Sequence, residues 1–257
     1  MDRNLRQAFV IHYHGMPINP ATAALAAVGG RHAFLSFIQA NQIGICIEAC
    51  QSFAIDNGAF SAWKSGEPTQ DWSAFYEWAA FCQGIPSCDF AVIPDVIDGN
   101  EADNDALIAD CPLPKWFAAP VWHMHESLDR LVRLAHEFPR ICLGSSGDFA
   151  MVGNASWWAR MGAAMAAVCD PVGRPSCRLH GLRMLNPEVF TRLPLASADS
   201  TNVARNIGID SAWKGTYNPP TKEARATLLR QRIESQNAPH VWVPLPQQQP
   251  LSLWSEA

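Results

Sequence analysis

Three aspartates in this chain stand at the ends of apolar runs and are followed closely by small or polar residues. They are Asp56 in FAIDNGAF, Asp95 in AVIPDVID and Asp199 in ASADST. A carboxylate so placed is drawn out of bulk water while still facing an opening, and the chemistry open to it is nucleophilic or proton-transferring. Two such groups facing each other can divide the work, one attacking a sugar's anomeric carbon while the other manages protons. Asp95 suits a further task, accepting hydrogen bonds from a ring N–H and an exocyclic amino group together. Each residue also has a plainer use. Asp56 precedes Asn57-Gly58 and can form an Asx-type turn. Asp95 can cap a helix in the acidic stretch DGNEADNDALIAD, and Asp199 can pair with Arg205 in a loop.

Glycines near these positions allow a ligand to come close to the backbone. Gly58 follows Asp56, and the run Gly144-Ser145-Ser146-Gly147 can turn N–H groups toward an oxygen or phosphate, although such loops also serve as plain linkers. His180-Gly181 reads the same way, with a satisfied core histidine as the alternative. His12 and His14, with His123 or His125 and Asp199, supply part of the donor set of a metal-dependent amidohydrolase. That pattern also wants a bridging ligand on the fourth strand and a histidine on the sixth, where this chain offers PDV and LGSSG. Cys46-x-x-x-Cys50 has no second pair at structural-zinc spacing, so ordinary buried thiols are expected. The absence of GxxxxGK[ST], GxGxxG and GxSxG argues against P-loop enzymes, dinucleotide dehydrogenases and α/β-hydrolases. Among ten tryptophans, Trp63, Trp122 and Trp213 lie near strand ends and are candidates to stack on a base.

The elements that must position these residues follow from hydrophobic punctuation. Eight β-like runs are predicted: 10–15, 33–37, 53–60, 90–97, 117–124, 140–144, 179–184 and 195–200. Between them, helical spacing covers 71–83, 126–138, 156–169 and 222–235, with Asp71 and Asn154 or Ser156 as N-caps. Strands alternating with helices imply parallel pairing through right-handed crossovers. Eight such units predict a single-domain (β/α)₈ TIM-type barrel over residues 8–235, whose site lies at the C-terminal strand ends. A doubly wound open sheet is the alternative. Residues 236–257, rich in Pro and Gln, read as an extended tail laid over the surface and ordered by Trp242 and Trp254.

With 257 residues, 48% hydrophobic and 17% charged, the chain is long enough to bury about three quarters of its unfolded surface, and disorder is excluded for most of it. No apolar run approaches the roughly 18 residues of a membrane span, and the start MDRNLRQAFVIHYHG lacks a signal-peptide pattern. A cytoplasmic protein without membrane partners is expected. The net charge of −5 divides unevenly. Residues 1–149 carry 8 basic against 17 acidic side chains, a balance of −9, and the remainder 11 against 7, a balance of +4. A basic C-terminal half is suited to meet phosphate.

Taken in order, these motifs resemble the tRNA-guanine transglycosylase superfamily, (β/α)₈ barrels that exchange guanine in a polynucleotide for a 7-deazaguanine base. Asp56-Asn57-Gly58-Ala59-Phe60 is similar to the family's D-S-G-G-F, and Asp95 to its base-reading aspartate. Leu143-Gly144-Ser145-Ser146-Gly147 partly echoes the G-G-L turn, and Leu179-His180-Gly181-Leu182-Arg183 resembles L-M-G-V-G. Asp199-Ser200-Thr201-Asn202-Val203-Ala204-Arg205-Asn206 resembles the nucleophile followed by T-R-x-A-R-N. The matches span roughly residues 50–210. The tRNA enzymes carry a C-x-C-x-x-C…H zinc subdomain after the eighth strand, and no cysteine follows Asp199 here. The resemblance is therefore to compact, zinc-free phage and bacterial homologues that modify guanine in DNA.

The resemblance implies Asp199 as nucleophile on C1′ and Asp56 as general acid and base. It implies Asp95 on the purine's Watson–Crick edge, with Asn57, Gly58, Phe60, Gly144, Ser145, His180 and Gly181 around the base. Arg183, Arg205, Lys214, Lys222 and Arg225, with Arg230 and Arg232, would hold phosphates. The nucleotide would have to be single-stranded or flipped out of its stack. No metal or other cofactor is implied. The partners would be DNA in preference to tRNA and a guanine or 7-deazaguanine base, with a homodimer left open. A relative that binds or removes a base without exchange is the alternative within the same fold.

Overall fold

A computed structural model describes residues 10–67, 69 and 71–244. Its strands are β1 (Ile11–Met16), β2 (His32–Ser36), β3 (Ser52–Asp56), β4 (Cys88–Val92), β5 (Ala118–Ala119), β6 (Val121–His123), β7 (Arg140–Gly144), β8 (Arg178–Gly181) and β9 (Ser197–Ser200). They form one sheet in the order β5-β4-β3-β2-β1-β9-β8-β7-β6, and every neighbouring pair is parallel. The two ends of that order, β5 and β6, are the halves of a single run divided by Pro120, which lacks the N–H that a ladder needs. The first half pairs with β4 and the second with β7. Joined through Pro120, nine strands count as eight, and the sheet is a nearly closed (β/α)₈-type barrel.

Alternation along each strand sends side chains inward and outward in turn. Tyr13, Phe34, Ala54, Phe90, Val92, Ala119, Val121 and Cys142 fill the interior. Leu35, Phe53, Ile55, Trp122, Ile141, Leu143 and Leu179 face the surrounding helices. This parity decides the fate of the paired histidines. Tyr13 points in, so His12 and His14 point out. His12 Nε2 lies 3.1 Å from the Gln236 carbonyl and His14 Nε2 3.1 Å from Glu234 Oε1, at the end of the last helix. The amidohydrolase-like alternative thereby loses its first two ligands, which face away from the barrel mouth.

The helices Ser73–Gln83, Leu128–Glu137, Ala155–Val168 and Lys222–Glu234 fall where periodicity predicts them. Asn154 caps its helix through Trp157 N–H at 2.8 Å, and Asp71 takes the N–H of Ser73 at 2.9 Å. The predicted strand 53–60 is cut short at Asp56, because Gly58 turns at φ +86° and the Ala59–Lys64 helix begins. The predicted strand 90–97 likewise ends at Val92. Beyond the last helix, Asn237 Oδ1 accepts the Val10 N–H at 2.8 Å and the Trp242 N–H donates to the Gly173 carbonyl at 2.7 Å. Residues 8 and 9 of the expected barrel range and 245–257 of the expected tail, Trp254 among them, lie outside the described residues.

Candidate active site

The C-terminal ends of the strands surround a cavity of about 410 Å³. Asp56 from β3, Asp95 beyond β4 and Asp199 from β9 all line it, together with Asn57, Phe60, Gly144, Ser145, Arg183 and Arg205. With His123 from the end of β6, ten of the residues singled out in the sequence therefore meet in one place, although they come from six separate strand-end segments.

Asp56 follows Ala54 on the inner face of β3, which aims its carboxyl into the cavity. Its Oδ2 accepts the Gly58 N–H at 3.0 Å, so the Asx turn and the site position are the same feature. Burial first, and then the negative charges of Asp95 and Asp199, raise its pKa from the usual 3.8 to about 7. A carboxyl so tuned gives and takes a proton readily at neutral pH. Asn57 is buried and fixes the neighbourhood. Its Oδ1 accepts the Ala59 N–H at 2.6 Å, while its Nδ2 donates to the Ile93 carbonyl at 2.9 Å and to Asp95 Oδ1 at 3.2 Å.

Asp95 does not cap the helix that follows it; Asn100 and Asp103 of Glu101–Ala109 do that through a capping box. Its Oδ2 lies 3.0 Å from His123 Nε2 at the end of β6. His123 is anchored in turn by Glu126, which accepts the His123 N–H at 2.8 Å and pairs with the buried Arg130 at 2.6 Å. Gly144 makes room for this imidazole, because a Cβ there would stand 3.3 Å from His123 Nδ1 and 3.1 Å from Val121.

Asp199 is not paired with Arg205 among the described residues. Its Oδ1 accepts the Arg183 N–H at 2.9 Å and lies 3.4 Å from His180 Nε2. Arg183 holds φ at +59°, unusual for a residue with a side chain. That conformation points its N–H at Asp199 while the guanidinium lies 4.1 Å from the centre of the Phe60 ring and donates to the Ser145 carbonyl at 2.9 Å. Strain concentrated at a ligand-facing turn is a mark of functional sites.

Compared with models of protein families and with curated protein sequences, the chain matches none.

Some predicted site residues lie elsewhere. Gly58 sits behind the cavity wall against Ile38, and Gly181 is packed on Leu195 and Met184. His180 is buried below the cavity and does not line it. Lys214 and Lys222 are exposed outside it. Arg225 spends its guanidinium on the Pro219 and Ile207 carbonyls and on Asp210. Arg230 donates to the Ala26 carbonyl, and Arg232 lies over Trp213. Trp122 and Trp213 are core residues, whereas Trp63 is 40% exposed beside Phe60. Ser36, Lys64 and the role of His123 were not read from the sequence. Lys64 ends a helix whose start depends on the Gly58 turn, and the role of His123 becomes visible only when Pro120 fixes the parity of the fifth strand.

Proposed function

We propose that the chain is a guanine transglycosylase-like enzyme that exchanges a base in a nucleic acid, DNA in preference to tRNA, through a covalent aspartyl-glycosyl intermediate. The observation that carries this reading is the convergence of three differently held carboxyls on one cavity. Asp199 has one oxygen tied and receives no hydrogen bond at Oδ2 from the described residues. Asp56 titrates near neutrality, and Asp95 accepts from Asn57 with His123 Nε2 3.0 Å from its other oxygen.

In the first displacement Asp199 Oδ2 attacks C1′, the C1′–N9 bond breaks, and its electron pair leaves with guanine as the base takes the proton of Asp56. In the second, the Asp56 carboxylate removes the N9 proton of the incoming base. That base then attacks C1′ and releases Asp199. Asp95 accepts N–H groups from the purine edge, and Phe60 supplies an apolar ring at the cavity wall. The sugar reaches this depth only from a flipped or unpaired nucleotide. Arg205, which is exposed, and Lys64 line the same cavity and would meet phosphate. The stretch after Asp199, where the tRNA enzymes hold zinc, runs through Trp213 to the Lys222–Glu234 helix without a cysteine, which favours DNA.

The test is incorporation of labelled guanine, run on DNA, on bulk tRNA and without polymer. Label should enter DNA with wild type and fall by at least about 10³-fold with Asp199→Ala. Entry into tRNA alone would overturn the polymer assignment. Release of free guanine with no label incorporated would make the enzyme a glycosidase.

A further inference from the structure

His180 occupies the barrel interior with no exposure to solvent, inside a cage of aromatic rings. Phe34 stacks on it at 5.2 Å, and Phe90 and Tyr13 meet it edge-on at 5.1 and 5.9 Å. Burial holds its pKa below the usual histidine value, so the ring is neutral and carries one N–H. Nδ1 lies 2.8 Å from Ser197 Oγ, and Nε2 lies 3.4 Å from Asp199 Oδ1. Ser197 Oγ in turn lies 3.4 Å from Arg140 Nη1.

These contacts fix where the single proton belongs. Arg140 can only donate, so Ser197 Oγ accepts on that side and keeps its own proton available for Nδ1; the carboxylate beside Nε2 decides between the two tautomers. Nδ1 then presents its lone pair, and the ring N–H sits on Nε2, facing Asp199. The opposite tautomer would set the Nε2 lone pair against a carboxylate oxygen. A donor chain therefore runs from Arg140 through Ser197 to His180, whose Nε2–H is left without a hydrogen-bond partner among the described residues and lies 3.4 Å from Asp199 Oδ1.

We propose that His180 is a positioning residue for Asp199, directing Oδ2 at C1′ and strengthening its hold on Oδ1 as the glycosyl ester breaks. This rests on the reading of Asp199 as the nucleophile. The Nε2–Oδ1 contact is long and out of line in the resting enzyme, as bonds of this kind often are before substrate tightens them. Full negative charge returns to Asp199 only when the ester cleaves, so the bond from His180 gains most in the second displacement, where a charge-assisted bond is strongest.

The experiment has two independent readouts. Histidine ¹⁵N NMR on the full chain, with the His180 signals assigned by their loss in His180→Phe, should show a proton on Nε2 and a bare Nδ1. A proton on Nδ1 overturns the proposal whatever the activity. In base exchange on an oligonucleotide, His180→Phe keeps a ring in the cage and should lower kcat roughly 10- to 100-fold, with KM within about twofold. Intact-mass analysis should show the covalent adduct accumulating. Ser197→Ala leaves the imidazole in place and should give a mixture of tautomers and a smaller loss in kcat, which keeps the test decisive should His180→Phe fold poorly. Wild-type kcat in both variants removes the role of His180 while Asp199 stands. A wild type that never exchanges base removes both readings.

Discussion

At the scale of single residues, the protonation of Asp56 governs the proposed reaction. Its pKa near 7 arises from burial, with the charges of Asp95 and Asp199 adding to it. Base release needs the protonated form, so single-turnover guanine release should fall as pH rises above about 7. Asp56→Asn should abolish that descending limb and slow release by roughly 10²- to 10⁴-fold. Asp95→Asn should move the limb to lower pH, because removing one negative charge lowers the cost of ionising Asp56. Stopped-time assays of released guanine between pH 5.5 and 9 would measure both, and a limb that stays put in Asp95→Asn would contradict the assignment of that charge. The substitution keeps one oxygen for the Asn57 amide but replaces the other by an NH2 donor, so binding of the polymer should be measured alongside.

At the scale of elements, the turn from β3 into the Ala59–Lys64 helix depends on Gly58. It lies at φ +86°, and an added Cβ would stand 3.0 Å from Ile38. Gly58→Ala should cost about 1–2 kcal/mol in backbone strain alone, lower Tm, and weaken exchange by displacing Asp56 and Asn57. Arg130 is a second structural keystone. Fully buried, it pairs with Glu126 and Asp105, and Glu126 holds the His123 N–H. Arg130→Ala should cost about 3–5 kcal/mol by leaving Glu126 buried and unpaired, read as a drop in the urea midpoint. The same elements show what could be read in advance. Parallel strands and the Asp-bearing strand ends were legible because apolar runs ending in polar residues have few other homes. The helix Ala21–Val28 was not, since ATAALAAV is apolar on all sides and gives no periodic stripe. Arg225 and Arg230 look like phosphate ligands in sequence, yet the carbonyls that occupy them come from the Pro219 turn, Ile207 and another helix. His180 sits at a strand end as predicted and points into the barrel, but it lies one layer too deep, and Leu182, two residues on, lines the cavity instead.

At the scale of the whole molecule, the last helix is clasped to β1 by groups that titrate between neutral and acid pH. His12 donates to the Gln236 carbonyl, and burial lowers its pKa to about 4. Burial opposes ionisation of Glu234, but the His14 hydrogen bond and the charges of His14, Arg31 and Arg230 outweigh it and hold its pKa below the usual range. His32 and His180 are also lowered by burial. A histidine whose pKa is about 4 folded and 6.5 unfolded binds its proton more readily in the unfolded chain. Its contribution to stability is therefore whole above pH 6.5 and is lost as pH falls toward 4. For His12 that amounts to about 3 kcal/mol in all. Asp56 works the other way: its folded pKa lies above its unfolded value, so it adds stability as pH falls from about 7 toward 3.8. Three histidines and Glu234 outnumber it, and the urea midpoint should drop between pH 7.5 and 4.5. His12→Gln, which can still donate to the Gln236 carbonyl, should flatten this dependence, and Asp56→Asn should steepen it. Opposite changes in slope from two substitutions on opposite faces of the barrel wall would tie acid sensitivity to these groups, and parallel changes would show that a different set of protons controls it.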